Sequence, residues 1–500
     1  MNKKYKNSKD LDFLLEGIYE GKEELKKFSI SGLALDSRKV KKGFLFVALK
    51  GSTLDGNEYV YEGIQNGAEA VLTDNPKLHE NNILYVKNLK KELGRISSRF
   101  YDHPSCKLMT FCVTGTNGKT SCVETLSQLA SLKGLSCGYI STIGISLDGI
   151  NLKQPSSLTT PDSISLQDAF SKMIREDIKL CAFEASSHGL DQYRVDGTEI
   201  DTAILTSFSQ DHLDYHNNIE EYKEAKKRLF YELKPKNVIL NIDNVLGQEI
   251  YDSLIKNNIN DSKIFTVAAG KNADFSYDFN RDDQGLLNVT LNALGEDIRF
   301  SLNTISRPLA SNLICAMASL IVKGFNFSNV DHLFKDLKFP LGRMEEIPSN
   351  QADKYFVDYA HTPEALEHSL IEIRDAFKKK EIWCVFGCGG DRDKSKRSLM
   401  GNIAFKFSDR VIVTNDNPRE ESEMSIIKEI ISGFEKSPKL KVIVNRKDAI
   451  SFCLEEISNK EDECVLLVAG KGHEDYQEIS NERFYFNDSE EIKKYLENMN

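Results

Sequence analysis

Met109-Thr-Phe-Cys-Val-Thr-Gly-Thr-Asn-Gly-Lys-Thr120 is the stretch of sequence that decides the fold. It begins with an apolar run that ends at a turn, which is typical of a buried parallel strand. Gly115, Asn117 and Gly118 supply a tight turn that residues with a Cβ resist, and a helix is predicted to begin at Lys119. Because the backbone N–H groups of such a turn and the helix dipole face an anion, the stretch predicts a nucleotide-phosphate site.

Two side chains after the turn have the chemistry of nucleotide binding. Lys119 would reach the β- and γ-phosphates, and the Thr120 hydroxyl would bind Mg²⁺. The spacing is shorter than the general GxxxxGK[ST] pattern, since only Thr116 and Asn117 separate the two glycines. The alternative is a glycine turn followed by a chance Lys-Thr pair, and the apolar strand before the turn argues against it.

Size, charge and cysteine usage limit the classes of protein to consider. The 500 residues suggest about three domains, and a hydrophobic content of 40% is enough to form a buried core in each. The net charge of −11 argues against nucleic acid as the main partner, because a phosphate backbone needs a basic face. The basic N-terminal residues lead into no apolar core of a signal peptide, no run reaches the length of a membrane span, and the cysteines form no CxxC pair. These features predict a reduced, cytoplasmic protein.

Residues 1–105 are predicted to form a small α/β domain. Gly43-Phe-Leu-Phe-Val-Ala-Leu-Lys-Gly51 is an apolar strand that ends at a glycine, and a second strand, Ala70–Thr73, follows a helical pattern. The short motif Asp36-Ser37-Arg38 fits a turn or a helix cap as well as it fits a ligand contact. The domain is expected to end near Pro104, just before the phosphate-loop strand.

Residues 106–340 alternate strands and helices, as a parallel sheet requires. In the strand that begins at Ile178, Glu184 stands near the C-terminal end, where ligands gather in open α/β sheets. A carboxylate at this position is well placed to meet Mg²⁺ bound at the phosphate loop. The alternative is that Glu184 only caps the next helix.

A polar cluster, Ser209-Gln-Asp-His-Leu-Asp-Tyr-His216, follows the next strand, and its two His and two Asp residues make it capable of binding a metal. Zn²⁺ would accept the two His residues, but no third soft ligand follows. Mg²⁺ accepts a single His only as a minor partner.

The helix predicted from Ile219 to about Leu233 carries a lysine on its apolar face. At about 100° per residue, Lys226 falls at the centre of that face. The apolar residues around it are Ile219, Tyr222, Ala225, Leu229, Phe230 and Leu233. An inward lysine must pair with an anion, lose its charge or be chemically modified. The alternative is that its long side chain snorkels to a nearby surface.

Residues 341–500 are predicted to form a third α/β unit whose strand ends carry glycine and charge. The loops are Cys388-Gly-Gly-Asp-Arg-Asp-Lys394, Asn415-Asp-Asn-Pro-Arg-Glu420 and Ala469-Gly-Lys-Gly-His-Glu474. Three consecutive strand ends of this kind are expected where a polar small molecule binds. An earlier strand, Tyr355–His361, places Asp358 in an apolar context.

The order of these motifs resembles that of the Mur ligases, the ATP-dependent amide-forming ligases of peptidoglycan precursor synthesis. The matching stretches are Thr114–Thr120, Glu184–His188, Asp211–His216, Gly342–Glu345 and Asp358–Pro363, and the resemblance runs from about residue 35 to residue 491. It implies an N-terminal UDP-binding α/β domain over residues 1–105 and a central P-loop ATPase domain with a parallel sheet over residues 106–340. A C-terminal Rossmann-like, amino-acid-binding domain would follow over residues 341–500.

Within the family, the chain is similar to the members that add the third residue of the peptide stem, and the resemblance implies roles for the matching residues. UDP-N-acetylmuramoyl-L-Ala-D-Glu would contact Ser37, Thr159, Thr160, Ser186, Gln192 and Arg194. ATP would contact Gly115, Thr116, Asn117, Gly118, Lys119, Thr120, Ser121, Asn312, Arg343 and Asp358. Lys226 would be carbamylated, and Mg²⁺ would lie near Thr120, Glu184, His212 and Lys226. The catalytic residues would be Lys119, Glu184, His212 and Lys226.

The loops of the third domain indicate which amino acid is added. Asp416-Asn417-Pro418-Arg419 is the form seen in family members specific for meso-diaminopimelate, and members specific for L-lysine usually lack the Arg. Diaminopimelate has a second carboxylate, which a planar guanidinium can grip bidentately, whereas lysine has none. By the same resemblance Arg392 is a second candidate for that carboxylate, and Gly470 and Glu474 would receive the distal ammonium.

The implied reaction transfers the γ-phosphoryl group of ATP to a carboxylate, and an amine then attacks the acyl phosphate. We expect a monomeric, cytoplasmic ligase that uses ATP and Mg²⁺. Three rival functions stay open: the L-lysine-adding ligase, a folylpolyglutamate synthetase, which would not need the N-terminal domain, and a P-loop switch ATPase without ligase activity.

Three positions depart from the family pattern. Ser207 stands where the family often has Asn in the strand before the Asp211–His216 motif. Ser311 and Cys315 replace an aromatic residue and the second Asn at the start of the following helix. These changes alter the expected adenine contacts and leave the phosphate site intact.

Overall fold

The computed structural model describes residues 8–20, 25, 27–51, 54–78, 80, 82–147, 150–151, 158–213, 215–257, 261–270, 272–328, 334, 337–350, 352–433, 437–480 and 482–499. These residues form three main sheets, of four, eleven and six strands, and two ribbons of two strands each. Across the described ranges, no helix combines the length and the apolar character that crossing a membrane requires.

The first sheet belongs to the N-terminal part of the chain. A ribbon pairs β1 (Lys9–Asp10) with β2 (Ser29–Ile30), and the sheet itself consists of β3 (Gly32–Ala34), β4 (Phe44–Ala48), β5 (Ala68–Thr73) and β6 (Ile83–Tyr85). These four strands are parallel and lie in chain order. The helices are Leu11–Leu14, Val60–Gln65 and Leu89–Phe100, with 3-10 turns at Ser37–Lys39, Gly56–Tyr59 and Pro104–Lys107.

The second sheet is the largest. Its strands are β7 (Met109–Thr114), β8 (Cys137–Ser141), β9 (Gly144–Leu147), β10 (Ile150–Asn151), β11 (Leu180–Glu184), β12 (Thr202–Leu205), β13 (Asn237–Asn241), β14 (Lys263–Ala269), β15 (Phe275–Arg281), β16 (Leu287–Ala293) and β17 (Glu296–Leu302). Their spatial order is β10-β9-β8-β11-β7-β12-β13-β14-β15-β16-β17. The helices are Lys119–Leu132, Ser163–Arg175, Ser187–Asp191, Ile219–Tyr231, Val245–Asn257 and Arg307–Ile321.

The phosphate-loop strand β7 lies inside this sheet, parallel to both of its neighbours, β11 and β12. Phe111 and Val113 pack into the core on one face, and Cys112 packs into the core on the other, because successive side chains of a strand alternate. Burial on both faces explains why the strand is a continuous apolar run.

The sheet is mixed, whereas the sequence predicted a parallel one. The strands from β8 to β15 in spatial order run parallel, but β9, β10, β16 and β17 pair antiparallel with their neighbours. The prediction is therefore right around the phosphate loop and wrong at both edges, where short hairpin connections reverse the chain.

The third sheet belongs to the C-terminal part. Its strands are β18 (Glu345–Ile347), β19 (Lys354–Asp358), β20 (Glu381–Phe386), β21 (Arg410–Val413), β22 (Leu440–Val442) and β23 (Cys464–Ala469), in the spatial order β18-β19-β23-β20-β21-β22. Only the β18–β19 pair is antiparallel among these described strands. A ribbon of β24 (Tyr476–Ile479) and β25 (Glu482–Tyr485) follows. The helices are Pro363–Ala376, Ser395–Phe407, Glu423–Ile430, Arg446–Ser458 and Asp488–Met499, with a 3-10 turn at Ile431–Gly433.

The α/β fold class is thus confirmed, while the exact domain limits at residues 105 and 340 stay a prediction. One predicted start needs correction, because the helix expected from Ala310 begins at Arg307 and places Asn312 in its second turn. Ser306 caps this helix by accepting a hydrogen bond from the Leu309 N–H.

Two glycines make close contact between the first and second parts of the chain. Gly94 lies in the helix Leu89–Phe100, and Gly197 follows Asp196 in a loop of the central domain. A Cβ at Gly94 would lie 1.8 Å from the Asp196 carbonyl oxygen, and one at Gly197 would lie 2.3 Å from the Gly94 carbonyl carbon. Backbone therefore meets backbone at this point.

Candidate active site

The phosphate loop connects the end of β7 to the helix Lys119–Leu132. Gly118 has a φ of +84°, and a Cβ added there would lie 2.4 Å from Oδ1 of Asn312. Only glycine satisfies both the left-handed backbone and this close approach. The fold therefore brings Asn312, predicted as an ATP contact, directly against the loop from a distant helix.

Lys119 folds back over the loop that precedes it. Its Nζ donates to the carbonyl oxygens of Gly115 and Thr116, both at 2.9 Å. Burial lowers the pKa of Lys119, and the nearby Arg343 acts in the same direction. A bound phosphate would favour the charged form, which is the interaction that the sequence predicted.

Thr120 and Glu184 meet at the ends of neighbouring parallel strands. The Thr120 hydroxyl donates to Glu184 Oε1 at 2.8 Å, and the Thr142 N–H donates to the same oxygen at 3.0 Å. Glu184 is buried, with 1% of its surface exposed. The next helix is capped by Ser186, which accepts from the Gly189 N–H. The capping alternative for Glu184 is therefore wrong.

Lys226 lies inside the protein on the helix Ile219–Tyr231, with 1% of its surface exposed. Its Nζ donates to the Gly115 carbonyl oxygen at 2.9 Å and lies 4.6 Å from the centre of the Tyr222 ring. Burial lowers the pKa of Lys226 far below its usual value, and the Lys119 ammonium lowers it further. The alternative that the side chain snorkels to the surface is therefore wrong. The Gly115 carbonyl oxygen accepts hydrogen bonds from both Lys119 and Lys226.

The histidine motif forms an aromatic cluster beside these lysines. The His188 ring lies 4.9 Å from the His212 ring and 4.0 Å from the Tyr215 ring, between centroids. Burial lowers the pKa of His212 to about 3, although Asp211 opposes the shift, so the imidazole is neutral and able to bind a metal. Asp214, also named from the sequence, lies outside the described residues.

No group of three or more His, Cys, Asp and Glu side chains among the described residues is arranged to hold a metal ion. The oxygen pair Thr120–Glu184 fits a hard cation such as Mg²⁺, which usually keeps water and phosphate oxygens as its remaining ligands.

The residues predicted to hold the peptide part of the substrate form one hydrogen-bonded network. The Ser186 N–H donates to Thr160 Oγ1 at 2.9 Å, and Arg194 donates to the Thr160 carbonyl oxygen at 2.8 Å. Arg194 also donates to Gln192 Oε1 at 2.6 Å. Thr159 precedes this network in the chain and is partly buried.

Ser37 lies in the N-terminal domain, within the 3-10 turn Ser37–Lys39, and is 6% exposed. Its carbonyl oxygen accepts from Asn66 at 2.9 Å. Asp36 caps the turn and also pairs with Arg38. The cap interpretation of Asp36 is thus confirmed, while the substrate role of Ser37 stays a prediction.

A cavity of about 560 Å³ opens between the central and C-terminal domains. Six of the predicted ATP contacts line it, namely Asn117, Gly118, Ser121, Asn312, Arg343 and Asp358. The guanidinium of Arg343 lies 4.3 Å from the centre of the Tyr359 ring. Burial raises the pKa of Asp358, which accepts from the Ser369 hydroxyl at 2.5 Å.

The cavity also contains Tyr277, which sequence reasoning missed. Its hydroxyl donates to Asp243 Oδ2 at 3.2 Å and lies within hydrogen-bond distance, 3.0 Å, of Ser311 Oγ. Asn241 donates to the same Ser311 oxygen at 3.2 Å. The polar end of β13 was visible in the sequence, but nothing marked Tyr277 in the β-rich segment. At Ser311, where the family has an aromatic residue, this chain therefore has a hydroxyl held by Tyr277.

Two arginines meet at Gly389 in the C-terminal domain. A Cβ at Gly389 would lie 3.0 Å from Nη1 of Arg419 and 3.7 Å from Cγ of Arg392. Arg419 donates to the Gly390 carbonyl oxygen at 2.7 Å, and its φ is +52°. Its backbone also pairs with the β24 strand at Glu478 and Ser480. The fold thus brings together the two arginines predicted to receive the distal carboxylate.

The remaining loop residues surround a lysine that sequence reasoning did not single out. Lys471 Nζ donates to Asn417 Oδ1 at 3.1 Å and to Glu474 Oε2 at 3.0 Å, and Asn417 Nδ2 donates to the same Glu474 oxygen at 2.9 Å. A Cβ at Gly470 would lie 2.9 Å from Asp416 Oδ2, and the Pro418 carbonyl accepts from Glu421. The predicted amino-acid residues are therefore neighbours, although their roles stay predictions.

Known proteins resemble the chain along its whole length. The family models that match are described as "Mur ligase family, catalytic domain" (residues 29–101), "Mur ligase middle domain" (113–320) and "Mur ligase, glutamate ligase domain" (342–472). The UDP-N-acetylmuramoyl-L-alanyl-D-glutamate--2,6-diaminopimelate ligase of Haemophilus influenzae (strain PittEE) is 38% identical over 492 residues, which covers 95% of this chain and 98% of the relative. The corresponding enzyme of Coxiella burnetii (strain RSA 493 / Nine Mile phase I) is 36% identical over 481 residues, which covers 93% of this chain and 96% of the relative.

A solved structure with the same enzyme name superposes with a TM-score of 0.72, at 30% identity and with 99% of both chains covered. The three models match in order along the chain, and the relatives are similar from end to end. The chain belongs to the Mur ligase family.

Proposed function

We propose that the chain uses ATP to join meso-diaminopimelate to the D-glutamate carboxylate of UDP-N-acetylmuramoyl-L-Ala-D-Glu. The full-length relatives that carry this enzyme name support the proposal. The enzyme is an amide-forming ligase of peptidoglycan precursor synthesis. We further propose that it works as a monomer in the cytoplasm, with a UDP-substrate domain, an ATPase domain and an amino-acid domain in chain order.

The observation that carries the chemistry is the pair of lysines at the phosphate loop. Lys119 and Lys226 both donate to the Gly115 carbonyl oxygen at 2.9 Å, so a cation for the phosphates and an amine that can be carbamylated lie side by side where a phosphoryl group would be transferred. Two anions, ATP and a carboxylate, must approach each other in this reaction, and positive charge at the centre lowers their repulsion.

The reaction proceeds in two steps. The substrate carboxylate attacks the γ-phosphorus of ATP, ADP leaves, and an acyl phosphate forms. The amine of diaminopimelate then attacks the acyl carbon, and phosphate leaves as the amide forms. Closure of the two domains over this cavity would keep water away from the acyl phosphate.

Mg²⁺ would be held by Thr120, Glu184, His212 and a carbamylated Lys226, where it would neutralise charge on the phosphoryl oxygens. The hydroxyl–carboxylate pair and the neutral imidazole suit this ion, with the single His as a minor ligand. Burial, which lowers the pKa of Lys226, favours its uncharged amine, and this is the form that reacts with CO₂. Carbamylation would replace a costly buried cation with an anion beside the metal.

Arg419 and Arg392 support diaminopimelate as the amino acid. A Cβ at Gly389 would lie 3.0 Å from Nη1 of Arg419 and 3.7 Å from Cγ of Arg392, so a carboxylate at this place would meet the Arg419 guanidinium with the Arg392 side chain beside it. Lysine has no second carboxylate for the Arg419 guanidinium to bind. The L-lysine-adding ligase is therefore the weaker candidate.

A folylpolyglutamate synthetase and a switch ATPase fit the chain less well than a Mur ligase does. A folylpolyglutamate synthetase would not need the N-terminal domain, yet a Mur ligase model matches residues 29–101. A switch ATPase would need neither the loop network around Arg419 nor the network around Arg194.

A competition assay tests the proposal. The purified chain receives UDP-N-acetylmuramoyl-L-Ala-D-Glu, ATP and Mg²⁺ with equal amounts of meso-diaminopimelate and L-lysine, and mass spectrometry identifies the product. We expect the diaminopimelate adduct. Lysine product would overturn the amino-acid assignment, and no product with either would overturn the ligase proposal.

A further inference from the structure

The amino-acid subsite contains a buried cation that the proposed chemistry does not use. Lys471 follows β23 in the loop Ala469–Glu474, and its side chain is 0% exposed. Its Nζ contacts Glu474 at 3.0 Å and Asn417 at 3.1 Å and lies 5.5 Å from the centre of the Tyr476 ring. It therefore lies among the residues predicted to receive the distal end of the amino acid.

Two carboxylates share this small volume with Lys471. Although burial opposes the shift, the Lys471 ammonium keeps the pKa of Asp416 below its usual range. Burial raises the pKa of Glu474, and the Asp416 carboxylate adds to that effect. Lys471 and the buried Arg446, which pairs with Asp488, offset the repulsion between these two carboxylates, and Lys471 contacts Glu474 directly.

We propose that Lys471 is a specificity-determining residue that offsets one of these two carboxylates, so that the subsite accepts a distal carbon bearing both an ammonium and a carboxylate and rejects a lone ammonium. The inference rests on the proposed function and adds to it the charge of the preferred amino acid. Arg419 supplies a partner for the distal carboxylate, whereas Lys471 limits the negative charge of Asp416 and Glu474 that would otherwise attract a lone ammonium.

The charges explain the discrimination. The distal end of diaminopimelate carries one positive and one negative group, so it enters a balanced site without changing the net charge. The distal end of lysine carries a positive charge only, and it would approach carboxylates that Lys471 already partly neutralises. Specificity then comes from the repulsion between Lys471 and a lone ammonium as well as from the attraction between Arg419 and the distal carboxylate.

The test uses three amino acids that differ only at the distal end. meso-Diaminopimelate carries both groups, L-lysine carries the ammonium alone, and L-2-aminopimelate carries the carboxylate alone. For Lys471→Met, we expect kcat/KM for lysine to rise about tenfold relative to diaminopimelate, because the subsite becomes more negative by one charge. For the same reason, kcat/KM for aminopimelate should fall relative to diaminopimelate.

The opposite directions separate specificity from damage to the fold. A lysine that only holds the loop together would lower all three values in the same proportion, and that result would overturn the proposal. Ratios between substrates do not depend on the fraction of active protein, so partial misfolding does not obscure them. Lys471→Gln keeps a hydrogen-bond donor without the charge and should shift the ratios in the same directions, which provides a second variant if the Met variant does not fold.

Lys447→Met is the matched control. Lys447 is an exposed lysine of the same domain that pairs with Glu491 at 3.4 Å, so its replacement should leave all three ratios unchanged. If the unmodified chain ligates diaminopimelate and the Lys471 variants keep its ratios, only the role of Lys471 is overturned. If the unmodified chain ligates none of the three amino acids, that result overturns the proposed function and, with it, the proposed role of Lys471.

Discussion

The phosphate loop and the amino-acid subsite both lie at the carboxyl ends of parallel strands, yet they hold their positive charges differently. At the phosphate loop, the hydrogen bonds of Lys119 and Lys226 go to backbone carbonyls. At the amino-acid subsite, Lys471 pairs with Glu474, and Arg419 lies 3.6 Å from Glu478. The first site therefore keeps the Lys119 ammonium as an excess positive charge for a multiply charged phosphate, whereas the charges of the second site are paired and would suit a substrate end with both signs.

The strongest way to break this comparison is to remove the excess charge at the phosphate loop. Lys119→Met should lower the ligation rate by about 10³-fold, because charge develops on the phosphoryl oxygens where Nζ lies. Steady-state assays with saturating amino acid measure the effect. Lys107→Met, an exposed lysine just before β7, is the control and should keep the full rate. A Lys119 variant with normal turnover would show that the excess charge does not serve phosphoryl transfer.

A variant of Lys226, the second lysine of this site, tests whether this side chain acts as a negatively charged carbamate. Lys226→Ala should lower activity by about 10²-fold, and short carboxylic acids should restore part of it by supplying the missing carboxylate. Lys223→Ala is the control, since that lysine lies one turn earlier and pairs with Glu249 at 2.9 Å. Full activity of the Lys226 variant without added acid would rule out a metal-site role.

Removing the charge of Arg419 from the amino-acid subsite should affect the kinetics with diaminopimelate and not those with ATP. Arg419→Asn keeps a residue that tolerates the φ of +52° and should lower kcat/KM for diaminopimelate by about 10- to 100-fold. The KM for ATP should stay unchanged, because the role proposed for the guanidinium is in amino-acid binding. Arg483→Asn, on the exposed β25 strand, is the control. An equal loss in ATP affinity would mean that the two sites do not act separately.

The smallest effect concerns the region between the sites, where His473 lies 5.1 Å from the Tyr359 ring, between centroids. Burial lowers the pKa of His473 to about 4 from its ordinary value of 6.5, and the Arg343 guanidinium acts in the same direction. Between these pH values the unfolded chain binds more protons, so the free energy of unfolding falls as the pH falls through this window.

His473→Gln should therefore reduce the loss of stability between pH 7 and pH 5 by about 2 kcal/mol. Urea denaturation at the two pH values measures this difference. His103→Asn, at an exposed histidine with left-handed backbone, is the control and should keep the original pH dependence. A larger loss for the His473 variant at acid pH would show that the imidazole is charged in the folded protein.

The two regions also differ in how well the sequence predicted them. The phosphate loop is a local motif, and the burial of Lys226 followed from helical periodicity. Each could therefore be predicted from a single segment of the sequence. Lys471 and Tyr277 gain their positions from strands far apart in the chain, and neither interrupts a local pattern. The antiparallel edge strands were missed because alternating polarity does not give the direction of a partner strand.

One helix start was missed although its signal was present. Ser306 and Pro308 form the cap and first turn that usually begin a helix, and the structure uses both. The helix was predicted to begin at Ala310 because its apolar residues follow that position, and hydrophobic periodicity identifies the buried part of a helix better than its first turn. Helix ends are therefore better predicted from capping residues than from hydrophobic periodicity.

The contact between Gly94 and Gly197 has a consequence for how the chain tolerates mutation. Because backbone meets backbone there, no side-chain pair encodes the junction of the two domains at that point. A single methyl group at either glycine must push the two segments apart, whatever side chains surround them. A deep mutational scan should therefore show two narrow minima of tolerance, at Gly94 and Gly197, where even alanine is rejected.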